Sequence, residues 1–334
     1  MKRLLVTGGT GYIGSHTIIE LYKKGYEIDV LDNLFNSKKS VLDKIEEIAG
    51  KKPRFFKLDL LDYEEMDKLF AENQYEAVLH FAGLKAVGES VEKPLKYYEN
   101  NVGGTINLLK CMKNHDVKKI IFSSSATVYG EQPVAKLDET MPTGIGITNP
   151  YGETKHMIEE ILKDVAEADP KFEVVILRYF NPIGNHPSGL IGEDPNDIPN
   201  NLMPIIMKVS RGEIPELSVY GDDYPTPDGS GIRDFIHVVD LAKGHVAVID
   251  KMKPGVLIYN LGTGKGTSVF EMIKAFEKAS GKKLPYKVVE RRAGDLAEIY
   301  ADPSKAEKEL GWKAELTVED AMKDTINYLK KIAE

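Results

Sequence analysis

From residue 1 to about 180, short apolar runs alternate with segments of helical period. The runs read "KRLLVT" (2–7), "EIDVLD" (27–32), "RFFKLD" (54–59), "EAVLHF" (76–81), "KKIIFSS" (118–124) and "EVVILRY" (173–179). Each ends where Gly, Ser, Asp or Asn begins to dominate. This alternation predicts a parallel sheet covered by helices on both faces, an α/β class of fold. In such sheets ligands bind beyond the carboxyl ends of the strands, so the loops leaving these runs are where function is expected.

The texture changes after Arg178. "NPIGNHPSGLIGEDPNDIPNNLMP" is dense in Pro, Gly and Asn and predicts an irregular connection over a surface or cleft. The pattern divides the chain into residues 1–180 and a smaller C-terminal α/β domain, 181–334. Segments from about 234 to 264 carry further strand and helix patterns that suit a return to the first domain. "TVEDAMKDTINYLKKIAE" closes the chain as an amphipathic helix.

Composition narrows the function. A net charge of -8 over 334 residues argues against a general nucleic-acid or anionic-membrane binder, since either surface repels the average field of the chain. Cys111 is the single cysteine, so no internal disulfide forms and a reducing, cytoplasmic setting is expected. The N-terminal apolar run is too short for a signal peptide, and no stretch has the length of a membrane helix. The seven histidines are scattered without a paired helical motif, and no metal is expected. His80 reads as a buried residue at the strand rim rather than a ligand.

The first strand runs directly into "VTGGTGYIG", with glycines at 8, 11 and 14 ahead of a helix expected from Ile13. Glycines let backbone approach a pyrophosphate, and the helix start offers it free N–H groups and a partial positive charge. A structural turn would use Gly8 and Gly9 equally well. The position carries the argument: strand before, helix after, and Asp32 at the end of the second strand, eighteen residues past Gly14. An acid there accepts from a ribose diol and repels a 2′-phosphate, so NAD is expected rather than NADP, on a Rossmann-type doubly wound sheet. Asp59 and the "HFAG" segment at 80–83 end the next strands on the same rim and are expected to bracket the adenine and the nicotinamide ribose.

"NPYGETKH" (149–156) places Tyr151 and Lys155 one turn apart on a helix opened by Pro150. A tyrosine with its ordinary pKa near 10 is a poor base, but a neighbouring ammonium stabilises its phenolate. On many helices such a pair is only a solvated face. "FSSSATVYG" (122–130) lifts it, because a serine leaving the fifth strand can bond the oxygen on which the tyrosine acts.

The glycine loop, the serine and the YxxxK spacing resemble the extended short-chain dehydrogenases/reductases. The finer resemblance is to the UDP-hexose 4-epimerases among them, through "TGGTGYIGSHT", "LDNLFNSKKSVL", "HFAGLKAVGESVEKPLKYYENNV", "LRYFNPIGNHPSG", "IPNNLMP", "RDFIHVVDLAKGH" and "YNLGTGKGTSV", in order from residue 6 to about 270. The resemblance implies an isomerase with tightly bound NAD that interconverts UDP-galactose and UDP-glucose within galactose metabolism. C4 would be oxidised transiently to a 4-keto sugar, which turns over in the site and is reduced again on its other face. Tyr151 would be the base, Lys155 would support it and bind the nicotinamide ribose, and Ser125 would bond the reacting oxygen.

By the same resemblance Gly8, Gly11, Tyr12, Ile13, Gly14, Asp32, Asn33, Asn36, Ser37, Asp59, Leu60, Phe81, Ala82, Gly83, Lys85, Asn100, Ser123 and Tyr179 would hold NAD along with the catalytic pair. Lys85, Asn181, Asn200, Asn201, Leu202, Ser218, Val219, Tyr220, Arg233, Arg292, Asp295 and Ile299 would take the UDP-sugar. The two arginine forks suit a pyrophosphate, although either alone reads as well as a surface ion pair. Family members usually form homodimers through helices that here span 91–113 and 151–169.

In "RRAGDLAEIYADP" the family's gate beside the sugar C2 substituent aligns with Ile299, where some members carry a bulky tyrosine. The smaller side chain suggests tolerance of N-acetylated UDP-sugars. Two rival readings stand beside epimerization. A sugar-nucleotide 4,6-dehydratase, like a decarboxylase another enzyme of this fold, would need an acid and a base after the serine. Ala126, Thr127 and Val128 stand there instead, with no carboxylate until Glu131. A non-catalytic NAD sensor would have no need of Ser125, Tyr151 and Lys155 together.

Overall fold

The computed structural model describes residues 2–196, 201–292 and 295–333. Asn200 lies outside the described residues. Seven parallel strands form the central sheet: β1 (Arg3–Thr7), β2 (Glu27–Leu31), β3 (Arg54–Phe56), β4 (Ala77–His80), β5 (Lys119–Ser125), β6 (Glu173–Tyr179) and β7 (Gly255–Leu261), in the spatial order β7-β6-β5-β4-β1-β2-β3. The chain builds outward from β1 through β2 to β3, then crosses back to place β4 on the other side of β1. This reversal opens a crevice at the carboxyl ends of β1 and β4.

Strand alternation divides the core. Leu4 and Val6 of β1 pack on one face with Ile18, Ile19 and Leu21 of α1 (Tyr12–Lys23) and with Leu241 and Val246 of α3 (Val238–Ala247). Leu5 turns to the other face with Leu108, Met112, Ile158 and Leu162, the last two on α2 (Pro150–Ala168). Burial on both faces explains why these strands read as unbroken apolar runs.

Local chemistry sets the ends of α2. Pro150 occupies its first turn, and the Asn149 side chain accepts from the Gly152 N–H at 2.9 Å. Glycine begins α1: Gly11 stands at its cap with no side-chain cap, leaving the first N–H groups facing the crevice.

Apart from segments such as α3 and β7 that return to the first sheet, residues beyond 180 gather around another core, in which Met203, Ile206, Leu217, Val219 and Phe235 pack with Met272, Ile273 and Phe276. Capping boxes start two of its helices, Ser268 with Glu271 and Thr317 with Asp320. Among the described residues no helix is long and apolar enough to cross a membrane.

Candidate active site

The glycine loop is shaped by close approach. Gly8 has φ +70°, and a Cβ there would lie 2.7 Å from the Ala82 nitrogen; one on Gly14 would lie 2.5 Å from the Gly8 carbonyl oxygen. Neither position has room for a side chain, so the loop backbone lies bare against the start of α1. Asp32, buried at the end of β2, accepts from the Thr10 N–H at 3.2 Å, the Leu34 N–H at 2.9 Å and the Ser37 hydroxyl at 3.0 Å. Asn33 donates to Asp59 at 2.8 Å, joining the ends of β2 and β3. A bare backbone at a helix N-terminus beside a fixed carboxylate fits the pyrophosphate and ribose diol of NAD.

Tyr151 and Lys155 lie on the buried face of α2. The Lys155 ammonium donates to the Ser123 carbonyl oxygen at 2.7 Å and sits 4.8 Å from the centre of the Phe122 ring and 5.9 Å from that of Tyr151. Burial lowers its proton affinity to a pKa of about 8. Burial raises the Tyr151 phenol above its ordinary pKa, opposed by a hydrogen bond with Ser125. The Tyr179 and Ser123 hydroxyls meet at 2.7 Å on the sheet side. His80 is locked between Thr7 (2.7 Å) and Thr105 (2.9 Å), with burial holding its pKa down at about 3, so it stays neutral in the sheet.

One cavity of about 1180 Å³ joins these groups to the second part of the chain. Gly8, Gly11, Tyr12, Ile13, Gly14, Asp32, Asn33, Asn36, Ser37, Asp59, Leu60, Phe81, Ala82, Gly83, Lys85 and Asn100 line its cofactor half. Ser125, Tyr151, Lys155, Tyr179 and Asn181 stand at its centre, and Asn201, Leu202, Ser218, Val219, Tyr220, Arg233, Arg292, Asp295 and Ile299 line the far end. Ser123 is not on this wall; it is buried behind it and acts through its carbonyl and hydroxyl.

At the far end the Arg292 guanidinium lies 3.8 Å from the centre of the Tyr220 ring, and Arg233 stands 3.6 Å from Asp295. Two guanidinium groups on the wall of an acidic protein suit an anionic ligand. Ile299 pairs with Arg233 in register and lines the cavity, whereas Tyr300 is not on the wall.

Thr127 and Glu193 are among the lining residues that the sequence did not assign to the site. The Thr127 hydroxyl is buried without a partner among the described residues, and Glu193, nearly inaccessible, accepts from Lys85 at 2.7 Å and Asn201 at 3.3 Å. Thr127 sits two residues past Ser125, which in retrospect was the available clue. Glu193 lies in the Pro- and Gly-rich connection, where no periodicity marks it. Among the described residues no group of three or more His, Cys, Asp or Glu side chains is placed to hold a metal ion.

The fold and site define a dinucleotide-dependent enzyme acting on a second, anionic ligand. The sequence model of the NAD dependent epimerase/dehydratase family matches residues 4–262, and the chain belongs to that family. It is 58% identical over 324 residues to the UDP-glucose 4-epimerase of Bacillus subtilis, covering 96% of this chain and 95% of that one. The crystal structure of UDP-glucose 4-epimerase from Bifidobacterium longum in complex with NAD+ and UDP superposes with a TM-score of 0.96 at 58% identity, covering 99% of this chain and 98% of that one. The UDP-Glc/GlcNAc 4-epimerase of Campylobacter jejuni superposes with a TM-score of 0.86 at 37% identity over 99% of this chain and 100% of that one.

Proposed function

We propose that this protein is an isomerase that holds NAD and interconverts UDP-galactose and UDP-glucose by transient oxidation at C4. The observation that carries the reading is one cavity wall shared by the glycine loop, the Ser125, Tyr151 and Lys155 group, and the Arg233 and Arg292 pair. NAD, when bound, supplies the two-electron redox chemistry at C4.

The chain's own residues handle the proton and the placement. Tyr151 takes the proton of the 4-hydroxyl and returns it after the 4-keto sugar has turned over. Ser125 bonds the same oxygen, and the Lys155 cation, held on the Ser123 carbonyl, lowers the cost of the phenolate. Arg233 and Arg292 hold the UDP pyrophosphate while the sugar end turns. Purification without added cofactor, followed by assay for bound NAD and for UDP-galactose conversion, tests the reading. Bound NAD without turnover of any UDP-sugar would favour the sensor reading instead.

In this reading residues 1–180 bind NAD, with later strands joining them, and 181–334 bind the UDP-sugar. Isoleucine is smaller than the tyrosine some relatives carry at this gate, which supports some tolerance of UDP-N-acetylglucosamine and UDP-N-acetylgalactosamine as further substrates. The protein works in galactose metabolism in the cytoplasm, in keeping with a single free, buried Cys111. It pairs as a homodimer through the helices around 91–113 and α2. Leu95 is 81% exposed, Val91 60% and Met157 42% on those segments, apolar area that a second copy would cover.

A further inference from the structure

On α2, Tyr151 and Lys155 are followed at the same spacing by Glu159, so phenol, amine and carboxylate succeed one another along one buried face. We propose that Glu159, clamped by Arg178, is a positioning residue that holds Lys155 and the end of β5 in working order. The inference rests on the reading of Lys155 given above.

Glu159 and Arg178 are both almost wholly buried. The Arg178 fork donates to the carboxylate at 2.6 and 3.0 Å, and the Ser124 hydroxyl donates to it at 2.6 Å. These bonds tie α2 to β5 and β6 directly behind the reacting groups. Ser124 lies between Ser123, whose carbonyl holds Lys155, and Ser125, which meets Tyr151. Arg178 immediately precedes Tyr179, a wall residue, and is stacked at 4.8 Å on the Tyr129 ring.

A buried ion pair gives no assured stability over apolar packing, so its placement here calls for another use. Lys155 faces Tyr151 and Glu159 on its own helix, the Phe122 ring on β5 and neutral His80 on β4. Among these Glu159 is the one anion, and it opposes the effect of burial on the Lys155 ammonium.

The test is the pH profile of kcat for UDP-galactose turnover by the holoenzyme. Glu159→Gln keeps an acceptor for Ser124 and removes the charge. Its alkaline limb is expected to move to lower pH by about one unit, a roughly tenfold loss at pH 9, with a smaller loss at pH 6.5. Because Glu159→Gln leaves Arg178 buried alone, the neutral pair Glu159→Gln/Arg178→Gln is measured beside it; its limb moves the same way by less. An unmoved alkaline limb in Glu159→Gln, or in the double variant where the single does not fold, overturns the inference. Lys155→Met separates the two claims. Full turnover in that variant overturns the role of Lys155 itself, whereas an inactive Lys155→Met with an unmoved Glu159→Gln profile overturns only the role of Glu159.

Discussion

The Lys155 ammonium lies 2.7 Å from the backbone oxygen of Ser123, so the cation nearest Tyr151 is anchored to the strand rather than to a carboxylate. That anchor carries no charge of its own. Replacing Tyr151 with Phe is expected to preserve folding and bound NAD while lowering kcat by about 10²–10⁴-fold. Absorbance of bound cofactor beside a coupled turnover assay checks both halves.

The glycine loop makes a different prediction. Gly8→Ala places a Cβ 2.7 Å from the Ala82 nitrogen at a backbone φ of +70°. The variant is expected to lose more than about 1 kcal/mol of stability and to purify largely free of NAD. Thermal melts with and without added NAD are the measurement.

Three histidines set an acid limit. Burial lowers His16 and His80 to a pKa of about 3 and His245 to about 4. Their unfolded forms bind protons below about 6.5, so folding stability is full above that pH and falls as pH drops toward 4. Each contributes a slope of about 1.4 kcal/mol per pH unit through most of this window. Denaturant melts across pH 7 to 4.5 are expected to show the decline, with a shallower slope in His245→Gln.

Ile299 lines the cavity while Tyr300 does not. Ile299→Tyr is expected to lower kcat/KM for UDP-N-acetylglucosamine by at least about tenfold relative to UDP-galactose, the effect of crowding a pocket by more than a methylene. Equal ratios in the two proteins, or no turnover of the N-acetylated sugar by the parent, would remove Ile299 as the gate.

Much of the site is legible because its signals are local. The glycine spacing after β1 and the position of Asp32 depend only on neighbours in sequence, and Pro150 announces the helix that carries Tyr151 and Lys155. The long register of apolar runs likewise predicts the parallel sheet, since strands buried on both faces need no partner to be recognised.

Other assignments depend on contacts between distant segments. Local pattern alone does not distinguish the three successive serines; the family resemblance singles out Ser125. Pleat and packing turn Ser124 to Glu159, leave Ser125 on the cavity wall and bury Ser123 behind it. Nothing local to Glu193 reveals that it meets Lys85, which lies 108 residues away. The sequence by itself determined the class of fold, the cofactor loop and the phenol and amine pair, because turn and helix chemistry act over a few residues. Only the tertiary structure decided that Ser124 turns to Glu159 while Ser123 lies behind the cavity wall, that Glu193 meets Lys85, and which charges stand behind Lys155. Those choices are made by strand register and by packing across the sheet.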